Sequence, residues 1–90
     1  MGRETRLFKS EARRDRSEVS AFLRELADKI SEGQVVLRQG QEEITLQVPQ
    51  GITLEVQVED EDKGAKGTQH SLEVGLKWFD EERGGPLELG

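Results

Sequence analysis

The 90-residue sequence predicts an α+β domain: one helix packed on one face of a four- to five-stranded, mainly antiparallel sheet, in the order β-α-β-β-β-β. Three observations lead there. Residues 16–32 carry apolar side chains at helical spacing. From Gly33 onward the apolar period switches from 3.6 to 2. The later runs are joined by turns too short for the long crossovers that parallel strands require. A helix with one apolar stripe and strands with one apolar face each bury both most simply by stacking the helix on the sheet. About twenty apolar side chains would then share one core, each contributing ~2 kcal/mol by burial. Leu26→Ala would cost ~2–5 kcal/mol if the stripe were fully packed.

The first expected strand is residues 5–12 (TRLFKSEA), where Arg6, Phe8, Ser10 and Ala12 alternate with Thr5, Leu7, Lys9 and Glu11. In the helix, Val19, Phe22, Leu23, Leu26, Ala27 and Ile30 fall on one stripe. Asp15 is a natural N-cap, and Glu18 completes a capping-box pattern, with Ser17 as a competing cap. Gly33 suits a left-handed C-cap. Residues 34–39 and 42–48 read as two strands of a hairpin turning at Gly40-Gln41. Pro49-Gln50-Gly51 reads as a second turn. Residues 52–59 alternate without a fault, with Ile52, Leu54, Val56 and Val58 on one side. Residues 60–68 read as a polar loop, and residues 70–79 as the closing strand, with Leu72, Val74, Leu76 and Trp78 in line. Residues 1–79 thus form a single domain, and residues 80–90 a flexible tail without periodicity.

Composition narrows the function classes. Hydrophobic residues make up 32% and charged residues 36%, with a net charge of −6. Residues 1–33 hold eight basic and seven acidic side chains, whereas residues 34–90 hold five and twelve. The negative charge therefore belongs to the second part, and such a surface repels phosphate backbones. The exception is Arg13, Arg14 and Arg16, a basic cluster interrupted by Asp15, which is the one sequence feature pointing toward nucleic acid. The absence of Cys excludes disulfides and thiolate chemistry, and a single His excludes a His-rich metal cage. No apolar run is long enough to span a bilayer, and residues 1–9 lack the apolar core of a signal peptide, so a soluble cytoplasmic protein is expected.

The residues offer little chemistry. His70 begins a strand beside a Gly-rich loop and reads as a solvated residue. Glu42 and Glu43 point to opposite strand faces, and Glu55 and Glu73 are the one pair that neighbouring strands could bring together. The run Glu59-Asp60-Glu61-Asp62 fails the EF-hand pattern, because a loop begun at Asp60 puts Ala65 at the glycine position and Ser71 at the last ligand. Gly64-Ala65-Lys66-Gly67 lacks the phosphate-loop order. The expectation is no enzyme and no cofactor. Trp78 reads as core beneath one end of the helix, with membership of a contact patch as the alternative. Adjacent strand residues face opposite ways, so Phe79, with Val36 on the same nominal face, is the candidate surface for a protein partner or a homodimer.

The capped helix with Phe22-Leu23-Arg24-Glu25-Leu26-Ala27, the segment Glu42-Glu43-Ile44-Thr45-Leu46, the alternating Leu54–Glu59 run and the closing Leu72-Glu73-Val74-Gly75-Leu76-Lys77-Trp78 together resemble the amphi-Trp domain family, over roughly residues 5–79. The closing strand with its Lys-Trp pair is the most distinctive piece. Gly75 departs from an ordinary strand and suggests a bulge or a close backbone approach. The resemblance implies a prokaryotic, soluble domain and brings no functional residues with it. The expected role is a non-enzymatic interaction or assembly module, with nucleic-acid association through the three arginines as the alternative.

Overall fold

A computed structural model describes residues 2–80. The chain divides into two compact units, Met1–Val48 and Pro49–Gly90. Its elements run α1 (Arg16–Glu32), β1 (Gln34–Gln39), β2 (Glu42–Gln47), β3 (Thr53–Asp62), a 3-10 turn (Gly64–Lys66) and β4 (Thr68–Lys77).

The helix spans the residues that its periodicity picks out. The Asp15 backbone carbonyl accepts from the amides of Glu18 and Val19, each at 3.1 Å. The Glu18 carboxylate in turn accepts from the Asp15 amide at 3.1 Å, which orders the first turn. Gly33 ends the helix at φ 90°, ψ 3°, a left-handed conformation that a Cβ disfavours. Its amide donates to the carbonyls of Ile30 (3.0 Å) and Lys29 (3.1 Å), and its own carbonyl accepts from Val48 at 2.9 Å. One residue therefore closes the helix and anchors the far end of the β1–β2 hairpin.

β1 and β2 pair antiparallel, with Val35 opposite Leu46 and Leu37 opposite Ile44. Gly40 carries φ 63° in the two-residue turn, and among the described residues no non-glycine has positive φ, which makes the turn type II′. Val35 is the one buried apolar residue among those described, at 4% exposure. It faces the helix across a groove bordered by Phe22, Leu26 and Lys29. No residue of the helix itself is fully buried: Leu26 and Ile30 are half-buried, and Phe22 and Leu23 are exposed.

β3 and β4 form the second unit's antiparallel ribbon, ten residues on each strand, running in register from Thr53 opposite Lys77 to Asp62 opposite Thr68. The tip is only five residues long. The Asp62 carboxylate accepts from the Gly64 amide at 2.8 Å, and the Lys63 amide donates to the Gly67 carbonyl at 2.8 Å.

This architecture corrects the expected one. The strands do not join into a four- or five-stranded sheet with the helix laid across it; they form two separate two-stranded sheets, β1-β2 and β3-β4, and the order is α-β-β-β-β. Pro49 gives a physical reason. It has no amide to donate at the point where β2 would turn into β3, so the segment offers no ladder donor there. Residues 5–12 form no strand; their alternation is weak, and no other strand pairs with them. The core of about twenty side chains is also absent among the described residues, where Val35 alone is buried. The 60–68 loop is shorter than its composition suggested, because Asp60 and Asp62 pair with His70 and Thr68 and extend the ladder. Gly75 is no bulge: it stands in register opposite Glu55, whose carboxylate would lie 3.7 Å from a Cβ built there. Residues 81–90 of the expected tail lie outside the described residues.

Candidate functional site

The pleat of the β3–β4 ribbon sorts its side chains onto two faces. Leu54 stands opposite Leu76, Val56 opposite Val74 and Val58 opposite Leu72, so six apolar residues share one face. Five of them, Leu54, Val56, Val58, Leu72 and Val74, are exposed by 60–71%. Leu76 is half-buried. Side chains of this type normally lie inside a protein, and here they form one contiguous exposed block.

Charge frames this face at one end only. Asp60 and His70 face each other across the strands beyond Val58, with Asp60 Oδ1 2.6 Å from His70 Nδ1. Sequence reasoning placed His70 as a solvated residue at a strand start and missed the pairing, because its partner stands ten residues away across the tip. The opposite face is polar. Glu55 Oε1 accepts from Lys77 Nζ at 2.8 Å, an ion pair reaching diagonally over Gly75. The hydrogen bond and the charge of Glu55 raise the Lys77 pKa above its ordinary 10.5. Glu55 and Glu73, the candidate carboxylate pair, share that face without standing opposite each other, since Glu73 opposes Gln57. Among the described residues no three His, Asp or Glu side chains come together as metal ligands.

At the open end of the ribbon, β4 stops at Lys77, one residue short of Trp78. The strict alternation expected through Phe79 therefore lapses. Trp78, half-buried, and Phe79, 86% exposed, both border an open hollow of about 630 Å³ with Pro49, Ile52 and Lys77. Val36 lies in the other unit, on β1 opposite Thr45, at 39% exposure. Val36 thus lies on β1, whereas Phe79 lies past the end of β4 and belongs to no sheet. Arg13 and Arg14 are exposed just before the helix, and Arg16 is exposed at its first residue. Among the described residues none of the three forms an ion pair with a carboxylate.

The alternating ribbon and the Trp at its end are the features that suggested a family at the outset. A family model, the Amphi-Trp domain, matches residues 1–90, the whole chain. The chain belongs to the Amphi-Trp domain family. Comparison with curated proteins and with solved structures returns no match. The family assignment brings no activity and no residue roles to this Amphi-Trp domain, so its function is argued from its own surfaces. Among its described residues no helix is long and apolar enough to cross a membrane.

Proposed function

We propose that this Amphi-Trp domain is a non-enzymatic interaction or assembly module that docks through the apolar face of the β3–β4 ribbon. The observation behind this reading is the exposure of 60–71% at Leu54, Val56, Val58, Leu72 and Val74. An isolated two-stranded ribbon is marginally stable in water, and it gains a hydrophobic layer when a partner covers its apolar face. Phe79 and Trp78 at the open end extend the contact surface with aromatic rings, which anchor interfaces through large rigid area.

The test is co-purification from the native host, comparing the wild-type chain with Val74→Lys. The expected result is a stoichiometric protein, which can be a second, differently tagged copy of the chain, recovered by wild type and lost with Val74→Lys. Equal recovery by both chains, or recovery of nothing by wild type, refutes the reading.

A second reading is nucleic-acid association through Arg13, Arg14 and Arg16, supported by their exposure beside the positively polarised start of α1. It requires binding that weakens steeply with salt and is lost when all three become Ala. No binding at low salt rules it out.

A further inference from the structure

We infer that the apolar face of the β3–β4 ribbon is covered by the same face of a second copy of this chain, the two ribbons stacking about a two-fold axis with their tips pointing in opposite directions. This rests on the reading of the ribbon as a docking surface and names its occupant.

Three features of the ribbon favour a second copy. The first is self-similarity. A half-turn about the normal through the Val56–Val74 pair carries Leu54 onto Leu72, Val56 onto Val74 and Val58 onto Leu76. The pattern is Leu-Val-Val on one strand and Leu-Val-Leu on the other, so the face presents nearly the same relief from either direction. An isologous interface requires reciprocal contacts: with the tips opposed, Leu54 of each copy lies over Val58 of the other, Leu72 over Leu76, and Val56 and Val74 over their own counterparts, so apolar meets apolar along the whole face.

The second is area. At ~25 cal/mol per Å² and ~1.5–3 kcal/mol per fully buried Val or Leu, each such side chain offers about 90 Å². Five residues exposed by 60–71% then leave about 300 Å² of apolar surface per copy, or about 600 Å² for two. That apolar area lies below the ~1,000 Å² floor for a tight specific association, so the contact is a weak, reversible one completed by the polar rim. The face is large enough for a reversible dimer.

The third is charge. The stretch Leu54–Val58 and Leu72–Leu76 carries no charge on its apolar face, whose acids are Asp60 and Asp62 at the tip. Glu55, Glu59, Glu61 and Glu73 fall on the opposite face and point away from a stacked partner. Opposed tips keep the Asp62 carboxylates of the two copies apart, whereas tips pointing the same way would bring them together; Asp60 has His70 beside it and Glu61 has Lys63. Sheets stacked face to face interdigitate their side chains about 10 Å apart, which brings the central Val56 and Val74 of each copy against the centre of the other.

The experiment combines sedimentation with cysteine cross-linking, the latter aided by the absence of Cys in the chain. Wild type sediments at 10.1 kDa when dilute and rises to twice that mass as concentration increases through about the micromolar range expected of an interface this small. Val74→Lys stays at the monomer mass. A bis-maleimide cross-linker whose span matches the ~10 Å sheet spacing joins Val56→Cys and Val74→Cys each into covalent dimers, whereas Gln57→Cys on the opposite face is not joined. The cysteine variants decide the matter if Val74→Lys proves unfolded by circular dichroism. A wild-type chain monomeric at every concentration overturns the dimer. A dimer that survives Val74→Lys, or that cross-links as fast through Gln57→Cys, overturns the face assigned to it. A monomer that still recovers a different host protein, lost with Val74→Lys, refutes the self-association alone and leaves the docking surface standing.

Discussion

Replacing Gly33 by Ala isolates the contribution of one backbone conformation to the first unit. Gly33 sits at φ 90°, and its amide and carbonyl both carry hydrogen bonds, to Ile30 and Lys29 on one side and from Val48 on the other. A Cβ there would lie 3.7 Å from the Val48 carbonyl oxygen, an ordinary contact, so crowding adds nothing to the cost. What remains is the left-handed conformation itself, about 1–2 kcal/mol for a residue with a Cβ. A stiffer unfolded chain offsets about 0.4–1 kcal/mol of that. The net loss is about 1 kcal/mol, which lowers the melting temperature of a chain this size by about 4–8 °C. Thermal unfolding followed by circular dichroism at the helix band measures it. Gly33→Asn should lose less, because Asn tolerates this region better, and Gly51→Ala, at a position without positive φ and with open space around it, should lose nothing. A Gly33→Ala chain that melts with wild type, or a Gly51→Ala chain that loses as much, refutes the assignment of Gly33 as the joint between helix and hairpin.

Two further predictions concern packing and charge. Val35→Ala should cost about 2 kcal/mol and Leu26→Ala about 1 kcal/mol in urea unfolding, because the first is buried and the second only half-buried; the opposite order would show that the helix stripe is packed more deeply than Val35. The Lys77 ammonium should titrate above 10.5, and Glu55→Gln should return it toward that value, as followed by NMR of the Lys77 side chain. Because the folded state holds this proton more tightly, the pair's contribution is complete below 10.5 and disappears as pH rises through the raised pKa. A wild-type midpoint at or below 10.5 contradicts the ion pair.

The helix and both hairpins were legible because their signals are local. Asp15, Glu18 and Gly33 mark the ends of α1, and the Gly40-Gln41 turn sets the β1–β2 register within a few residues. The alternation from Leu54 to Val58 and from Leu72 to Leu76 assigns these residues to one face of each strand, and the register joins the two faces. The site was only partly legible. The alternation of β3 and β4 predicts core residues, whereas Leu54, Val56, Val58, Leu72 and Val74 are exposed; Val36 lies on β1 and Phe79 past the end of β4. Alternation reports which side chains share a face, and it is silent on what covers that face.

The sequence by itself determined the secondary structure of residues 16–77 in outline, the placement of charge and the family resemblance. Periodicity, caps and turns act within a few residues and are written in the order of the chain. Only the tertiary structure decided that the four strands form two ribbons instead of one sheet, that Trp78 lies past the end of its strand, and that Asp60 meets His70. Strand pairing is a choice among distant partners, made by amides and carbonyls that every residue except proline offers alike. The β1–β2 ladder ends at the bond from Val48 to Gly33, where the helix ends on one side and Pro49 follows on the other, and β3 takes β4 as its partner.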